Sequence, residues 1–346
     1  MILNPQLDRR ALLTLGGAGL LAATGCQGTA IQRAEQSATP SSGTTGMRAT
    51  IGLTYIPNIQ FAPFYWAADK GLFSQQGASV TLRHHGASEG LFTALGAGQE
   101  QFVIAGGDEV LQANAEGLGL VTVAGYYQRY PVVLIVPQKS AIQTLADLKG
   151  RSIGIPGEYG ESWFGLQLAL HNASLTKDDV QIRAIGYTQQ AALATGKVDA
   201  IVGFSNNDVV QFAQSGVAVR QIPLGDDIPL VSSSIVTSRA VLEKSPELVR
   251  AVCRAVVGGV QAVVADPEEA ITVSAAHVPG LGASAAQKNA RATLQATLPL
   301  WRGDQQVPKL TLDPERFVAM EKFMRTAGII TKPLDPAAAL DASVLG

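Results

Sequence analysis

Aromatic side chains occur together with carboxylates and amides in the segments that join predicted strands to predicted helices. Carboxylates and amides beside aromatic faces suit a flat nitrogen heterocycle, which stacks on a ring while its N–H groups are hydrogen-bonded. The carboxylates, with Glu161 in the same turns, disfavour an oxyanion such as nitrate or a sulfonate. The candidate ligand-binding residues are Tyr55, Asn58, Gln60, Asp108, Glu109, Tyr126, Glu158, Tyr159, Trp163, Gln189, Asn206 and Asn207.

These candidates divide by chemistry into a stacking set and a hydrogen-bonding set. The predicted stacking set is Tyr55, Tyr126, Tyr159 and Trp163, and the leading polar set is Asn58, Glu109, Glu158 and Asn207. Simpler roles remain open for some of them. Asp108 and Asn206 could serve only as helix N-caps. The segment from Gly157 to Gly160 could be only a turn, although glycine-rich turns also let a ligand approach backbone N–H groups.

The cysteines and histidines give no indication of catalysis or metal binding. Cys253 shares a predicted helical face with Val249 and Val256, which favours a buried and inert thiol. The four histidines lack metal-ligand spacing backed by carboxylates or thiols. A formal net charge of −2, with no basic cluster in the body, argues against nucleic acid as a partner. We therefore expect no metal, no cofactor and no nucleic acid.

The first 26 residues have the pattern of an export leader. The arginine pair Arg9-Arg10 precedes an apolar segment from Ala11 to Ala23, which is too short for a permanent membrane span. Small residues before Cys26 resemble a lipoprotein cleavage site, which implies a signal peptide over residues 1–25 and a lipid on Cys26. A plain secretory signal or an N-terminal anchor remains the alternative, and the arginine pair leaves general or twin-arginine export open.

Residues 26–47 are rich in Gly, Ser, Thr, Gln and Pro, and this composition predicts a flexible tether. About 300 residues follow, a length that suggests two domains. A hydrophobic content of 47% with 16% charged residues fits a well-buried α/β protein.

Short β-branched runs alternate with helical segments along this body. Strands are predicted at 49–53, 80–83, 102–105, 121–124, 132–136, 152–155, 180–185, 200–203 and 219–222. From Pro246 onward the pattern is almost entirely helical, with Pro267 and Pro314 also at or near helix starts. The segment from Ala251 to Ala265 is apolar, and its length suits a buried helix better than a membrane span.

An internal repeat indicates that two similar units are present. Residues 94–105 align with residues 192–203 at a constant offset of 98, and each copy is a helix closed by glycine and followed by a buried strand. A polar turn follows each strand, at residues 106–109 and 204–207. Ligands of open α/β sheets bind beyond the carboxyl ends of strands, so both turns are predicted to face a ligand cleft.

Several motifs together resemble those of a known family, the ABC-importer substrate-binding proteins with the thiamin-pyrimidine-synthase-like fold. The motifs lie at residues 54–65, 67–73, 154–160, 196–200 and 245–249. The resemblance implies an α/β fold of the type II periplasmic-binding-protein kind, with two mixed-sheet lobes, a two-strand hinge and a helical C-terminal tail. The chain would cross between lobes near Pro137 and near Ser232, which assigns residues 48–137 and 233–346 to lobe 1 and residues 138–232 to lobe 2.

The same resemblance implies a transport role. It predicts a monomeric, lipid-anchored receptor in the periplasm or on the outer face of the cytoplasmic membrane, with an ABC permease and its ATPase as partners. A hinge between the lobes would let closure around the ligand signal to the permease. An aminopyrimidine of the thiamin-precursor type is the first choice of ligand, with riboflavin as the close alternative and a sulfonate or nitrate less favoured.

A pyrimidine synthase with this fold is the rival from another functional class. The lysine and histidine on which that enzyme depends fall at about Ala105 and Glu109 here, and its lysine after the glycine-rich turn is Glu161. Its cysteine-rich iron site falls near residues 231–235, which contain no thiol. Since a Schiff base needs an amine and an iron site needs ligands, we expect no enzymatic activity.

Overall fold

The computed structural model describes residues 46–86 and 89–345 of the chain. The predicted signal peptide and Cys26 lie outside the described residues, as does the predicted tether up to residue 45. Met47, the last residue assigned to the tether, already belongs to the first strand.

Ten strands occur among the described residues, and each of the nine predicted strands is found within two residues of its predicted bounds. The strands are β1 (Met47–Leu53), β2 (Ala78–His84), β3 (Phe102–Gly106), β4 (Leu120–Ala124), β5 (Val132–Pro137), β6 (Ser152–Ile155), β7 (Gln181–Ala184), β8 (Ala200–Phe204), β9 (Val219–Ile222) and β10 (Ser233–Ser238). β10 escaped prediction because the polar run Ser232-Ser233-Ser234 at its start lacks the β-branched character of the other strands.

The strands form two five-stranded mixed sheets with the same topology. The first sheet has the order β2-β1-β3-β10-β4 and the second has the order β7-β6-β8-β5-β9. In each sheet the first three strands of this order are parallel to one another. The fourth strand, β10 in one sheet and β5 in the other, pairs antiparallel with both of its neighbours. The repeat found in the sequence places β3 and β8 at equivalent positions. The matching glycines Gly98 and Gly196 both adopt left-handed backbone conformations, with φ of 72° and 69°, after the preceding helices.

The predicted boundary between lobes at residue 137 is wrong with respect to sheet membership. β5 is hydrogen-bonded to β8 and β9, so it lies in the second sheet rather than the first. The chain therefore crosses between sheets at residues 125–131 and again at residues 223–232, and neither of these described segments contains a strand. The predicted crossing near Pro137 followed from the family resemblance, whereas the position of β5 is decided by its pairing with β8, more than 60 residues downstream.

Twelve α-helical segments occur among the described residues. They are α1 (Ala62–Asp69), α2 (Leu72–Gln75), α3 (Thr93–Gly96), α4 (Gly107–Ala115), α5 (Gly160–Asn172), α6 (Gln189–Ala194), α7 (Asp208–Gln214), α8 (Arg239–Lys244), α9 (Pro246–Ala265), α10 (Pro267–Ser274), α11 (Ser284–Arg302) and α12 (Pro314–Thr326). Prolines 246, 267 and 314 are the first residues of α9, α10 and α12, as predicted, because the first turn of a helix does not need their missing N–H.

The longest helix, α9, is a core helix of the first sheet's layer. It packs against α1, and Cys253 on its apolar face is fully buried, which raises the pKa of the thiol above its usual range. Among the described residues it is the helix whose length and composition would also suit a membrane span, but 56% of its apolar window is buried in the protein. The prediction that Cys253 is buried in a core helix is confirmed.

Close contact between α9 and α1 depends on a glycine. A Cβ added to Gly259 would lie 2.2 Å from the carbonyl oxygen of Pro63, whereas one on Gly258 would meet only Leu72 Cδ1 at 3.4 Å. We expect Gly259→Ala to destabilise the fold by about 1 to 3 kcal/mol because the two helices must separate. Gly258→Ala is the matched control and should be neutral or slightly stabilising in denaturant unfolding. Equal stability of the two variants would show that this contact is not tight.

Candidate functional site

A large cleft lies where the carboxyl ends of the parallel strands in both sheets meet. Its empty space is about 1100 Å³, with the open mouth included. Residues after β1, β3, β6 and β8 contribute to its walls, as expected for ligand sites of open α/β sheets. The lining residues are Thr54, Tyr55, Gln60, Phe61, His85, Gly86, Glu89, Leu91, Ile104, Ala105, Glu109, Tyr126, Tyr127, Pro156, Tyr159, Gly160, Glu161, Ser162, Tyr187, Gln189, Phe204, Asn207, Asp208 and Ser233.

Aromatic rings from both lobes form much of the cleft wall. The rings of Tyr55, after β1, and Tyr187, after β7, meet edge to face with their centroids 4.7 Å apart. Tyr159, at the start of α5, is 44% exposed and is the most accessible ring of this group. Tyr126 is buried, and its hydroxyl donates to the Gln60 carbonyl at 2.6 Å, so it forms the floor of the cleft. Rings with accessible faces at the rim and fixed rings at the floor suit a flat ligand.

Glu109 connects the N-termini of two helices across the cleft. Its Oε2 accepts a hydrogen bond of 2.8 Å from the N–H of Gly106, which precedes α4. It also interacts with the backbone N–H of Gly160, the first residue of α5 in the second lobe. Burial raises the pKa of Glu109 to about 8, aided by the nearby Glu161 charge and opposed by the two N–H groups.

Glu161 makes the reciprocal contact from the second lobe. Its two carboxyl oxygens accept hydrogen bonds from the Ser232 hydroxyl at 2.8 Å and the Ser233 hydroxyl at 2.5 Å. Burial raises the pKa of Glu161 to about 7, and the serine hydroxyls oppose this shift. Each lobe therefore contributes one carboxyl at the cleft, half-buried in Glu109 and buried in Glu161, and each carboxyl has a partner in or next to the other lobe.

The repeated unit in the second lobe carries a similar carboxyl. Asp208 Oδ2 accepts from the N–H of Phe204 at 2.7 Å, and Phe204 is offset by 98 residues from Gly106, whose N–H binds Glu109. Burial raises the pKa of Asp208 to about 6. In both lobes, then, a carboxyl closes the turn between a central strand and the helix that follows it, and it lines the cleft.

Seven of the twelve predicted site residues line the cleft, and five do not. Those that line it are Tyr55, Gln60, Glu109, Tyr126, Tyr159, Gln189 and Asn207. Those placed elsewhere are Asn58, Asp108, Glu158, Trp163 and Asn206. The seven come from both sheets, so folding brings together residues separated by up to 152 positions in the sequence.

Each of the five other residues has a different environment. Asn58 Oδ1 accepts from the Gln60 N–H at 3.0 Å as a local cap, and Glu158 is exposed outside the cleft. Asp108 is fully buried and accepts from the Tyr130 hydroxyl at 3.0 Å. Trp163 packs in the core, with the Lys177 ammonium 5.5 Å from its ring centroid. Asn206 is buried and donates to the Thr297 hydroxyl at 2.9 Å. None of these five side chains therefore lines the cleft.

Several cleft residues were not selected from the sequence. His85 and Glu89 follow β2, and the position of polar residues directly after a predicted strand could have identified them. Asp208 directly follows the predicted polar turn at residues 204–207 and could also have been included. Ser233 had no such signal, because its position depends on the unpredicted strand β10.

The lining combines aromatic rings with amides, hydroxyls and carboxyls, which suits an uncharged polar ring. Among the described residues that line the cleft, the titratable groups include four carboxyls and His85, and neither lysine nor arginine is present. No group of three or more His, Cys, Asp or Glu with metal-binding geometry occurs among the described residues. His85 Nε2 lies 2.9 Å from Glu100 Oε1, so this ring nitrogen is engaged in a buried contact with a carboxyl group.

Two sheets of identical topology, joined by two crossings and enclosing a cleft, define a two-lobed α/β protein of the type II periplasmic-binding-protein fold. The chain belongs to the family described as NMT1/THI5-like, whose model matches residues 58–270. The fold class and the family resemblance predicted from the sequence are therefore confirmed.

Similar proteins include both curated relatives and solved structures. The riboflavin-binding protein RibY of Chloroflexus aurantiacus is 33% identical over 334 residues, which cover 94% of each chain. A putative thiamine biosynthesis protein of Haemophilus influenzae is 27% identical over 83% of this chain and 89% of its own. The alkanesulfonate-binding protein SsuA of Xanthomonas axonopodis, solved with MOPS, has a TM-score of 0.66 at 20% identity, covering 85% of this chain and 98% of its own. This last likeness supports the fold.

The elevated pKa values of Glu109 and Glu161 predict a stability that depends on pH. Both lie above the ordinary value of 4.5, so their contribution is complete below that pH and is lost as the pH rises through about 7 to 8. We expect the melting temperature of the ligand-free protein to fall over that range, with each unit of pKa elevation worth about 1.4 kcal/mol. Glu109→Gln and Glu161→Gln should each reduce the slope in thermal scans.

The exposed Glu243 provides the matched control, since Glu243→Gln makes the same chemical change away from the cleft. Its pH profile should follow that of the wild type. A profile that rises with pH, or one that neither cleft variant alters, would contradict the assignment of buried, destabilised carboxylates.

Proposed function

We propose that this protein is the substrate-binding receptor of an ABC importer and that it captures riboflavin, or a closely related flavin, between its two lobes. The observation that carries the proposal is the aromatic lining of the cleft. Among the described residues, seven aromatic side chains line it: Tyr55, Phe61, Tyr126, Tyr127, Tyr159, Tyr187 and Phe204. The name and full-length similarity of the riboflavin-binding relative support the same ligand class.

The spread of aromatic side chains over both lobes favours a flavin over the aminopyrimidine that the sequence alone ranked first. A single pyrimidine ring could contact only a few of the aromatic side chains, whereas a three-ring system could extend across both lobes. An aminopyrimidine remains the second candidate and is an explicit outcome of the experiment below.

The polar groups of the cleft complement a flavin ring system. Gln60, Gln189 and Asn207 present amides, which can both donate and accept, as the imide and ring nitrogens of a flavin require. Gln60 and Gln189 are themselves buried, and the Gln60 amide donates to the Tyr127 hydroxyl at 3.4 Å. The ribityl hydroxyls of riboflavin would find the hydroxyl and carboxyl groups of Ser162, Ser233 and Asp208.

Binding without catalysis is the mode of action that these residues support. Ala105 and Glu109 stand where the related synthase is expected to have its lysine and histidine, and Ser232 to Ser234 replace its thiols. We therefore infer that the bound molecule is released unchanged to a permease. The protein would act as a monomer held outside the cytoplasm by a lipid on Cys26, after cleavage of residues 1–25, with residues 26–45 as the tether.

Identification of the natural ligand is the decisive experiment. The mature protein should be purified under native conditions, and the molecule released on denaturation should be identified by mass spectrometry and then titrated back by calorimetry. A flavin, with its visible absorbance and quenched fluorescence on rebinding, is the expected result. Recovery of an aminopyrimidine would support the second candidate, and binding of sulfonates alone would contradict both.

Tyr159 provides a test of stacking in the cleft. Tyr159→Ala should weaken flavin binding roughly two- to tenfold, in line with about 0.5 to 1.5 kcal/mol for an aromatic pair. Tyr159→Phe is the matched control because it keeps the ring, and it should bind within about twofold of the wild type. Fluorescence titration measures both. Equal affinities of the wild type and Tyr159→Ala would mean that this exposed ring does not contact the ligand.

The proposed anchor is tested by Cys26→Ser in the native host or a bacterial expression strain. The wild-type protein should label with a fatty-acid analogue and fractionate with membranes, whereas Cys26→Ser should not label. Cys253→Ser is the control, since this buried thiol should leave labelling unchanged. Membrane-bound, labelled Cys26→Ser protein would contradict the lipoprotein assignment.

A further inference from the structure

We propose that Glu109 and Glu161 make the cleft selective for ligands without a phosphate or sulfonate group. Resting on the proposed function, this inference means that the receptor binds riboflavin and excludes riboflavin 5′-phosphate. More generally, it binds the uncharged form of a heterocycle and excludes its phosphate ester.

Occupied helix N-termini are the first reason. Phosphate and sulfonate groups bind readily where the first N–H groups of a helix are free. In this cleft the Glu109 carboxyl takes the N–H of Gly106 at 2.8 Å and interacts with the N–H of Gly160 at the start of α5. An anionic group of the ligand would have to displace an internal carboxyl from these donors. The occupancy holds in both protonation states, since a carboxyl oxygen accepts in either.

The charge of the lining is the second reason. The carboxyls of Glu89, Glu109, Glu161 and Asp208 line the cleft, and the described lining residues include no lysine or arginine. The Arg83 guanidinium behind the wall is already paired with Glu89 at 2.5 Å and with the buried Glu100 at 2.6 Å. A phosphate in this cleft would therefore be desolvated among carboxyls, with no lysine or arginine in the described lining to compensate its charge, which disfavours binding.

The attachment of Glu161 makes this arrangement rigid. Its two oxygens are held by the hydroxyls of Ser232 and Ser233, and Glu161 itself is 6% exposed. A rotation away from the cleft would break both hydrogen bonds and leave a buried carboxyl without partners. The carboxyl therefore cannot readily move to admit an anion.

The experiment compares affinities for riboflavin and riboflavin 5′-phosphate by fluorescence titration of the full mature protein, above the pKa values of both carboxyls. The wild type should prefer riboflavin by at least about tenfold, since like charges brought together cost several kcal/mol. Glu109→Ala, which vacates the two N–H groups, and Glu161→Gln should each lower this ratio by roughly fivefold or more. Glu116→Gln, at the exposed far end of α4, is the matched control and should keep the wild-type ratio.

A wild-type protein that binds both flavins equally, or a ratio unchanged in Glu109→Ala and Glu161→Gln, would overturn the inference while leaving the flavin receptor intact. If riboflavin itself does not bind, the proposed function fails, and inorganic phosphate then tests the selectivity separately by calorimetry. The wild type should give no binding heat at millimolar phosphate. If the wild type binds phosphate and the phosphate competes with the identified ligand, the inference of selectivity against anions is overturned.

If Glu109→Ala does not fold, Glu109→Gln keeps the hydrogen bonds and removes only the charge. This variant should lower the ratio by less than Glu161→Gln, because the N–H donors remain occupied. If Glu109→Gln and Glu161→Gln both keep the wild-type ratio of affinities for the two flavins, the inference is overturned.

Discussion

The exchange of two carboxyl groups between the lobes, from the half-buried Glu109 and the buried Glu161, is the interaction on which the cleft depends. Glu109 of the first lobe interacts with the N–H at the start of α5, and Glu161 of the second lobe accepts from serines at the start of β10. A buried carboxyl without partners is costly, so both lobes must stay close enough to satisfy the other's acidic group. The same requirement holds carboxyl and hydroxyl oxygens at the base of the cleft, where they suit an uncharged ligand.

Two copies of one sheet topology present these groups at matching places. β3 and β8 occupy the same position in their sheets, and each runs into a turn closed by a carboxyl, from Glu109 in one and Asp208 in the other. Aromatic residues after the neighbouring strands complete the walls. The binding surface is thus a consequence of strand order, since the carboxyl ends of parallel strands lie at one edge of each sheet.

Prediction from the sequence succeeded where local patterns decide structure. The β-branched runs identified nine strands, and the helix-starting prolines marked α9, α10 and α12, because chain propensity and the missing proline N–H act locally. It failed for β10, for the sheet to which β5 belongs, and for the surroundings of Trp163 and Asn206. Aromatic and amide side chains suit both a cleft and a core, and only long-range packing distinguishes the two.

By itself, the sequence determined the α/β class, the duplicated unit, the family and the kinds of side chain available for binding, because these follow from residue types and their spacing. The tertiary structure decided which of those side chains share one cleft. It turned Tyr55, Glu109, Tyr159 and Asn207 towards a common space, and it buried Asp108 and Trp163 elsewhere. The physical reason is that cleft exposure depends on contacts between residues far apart in the chain, such as Glu161 with Ser233, which no local pattern encodes.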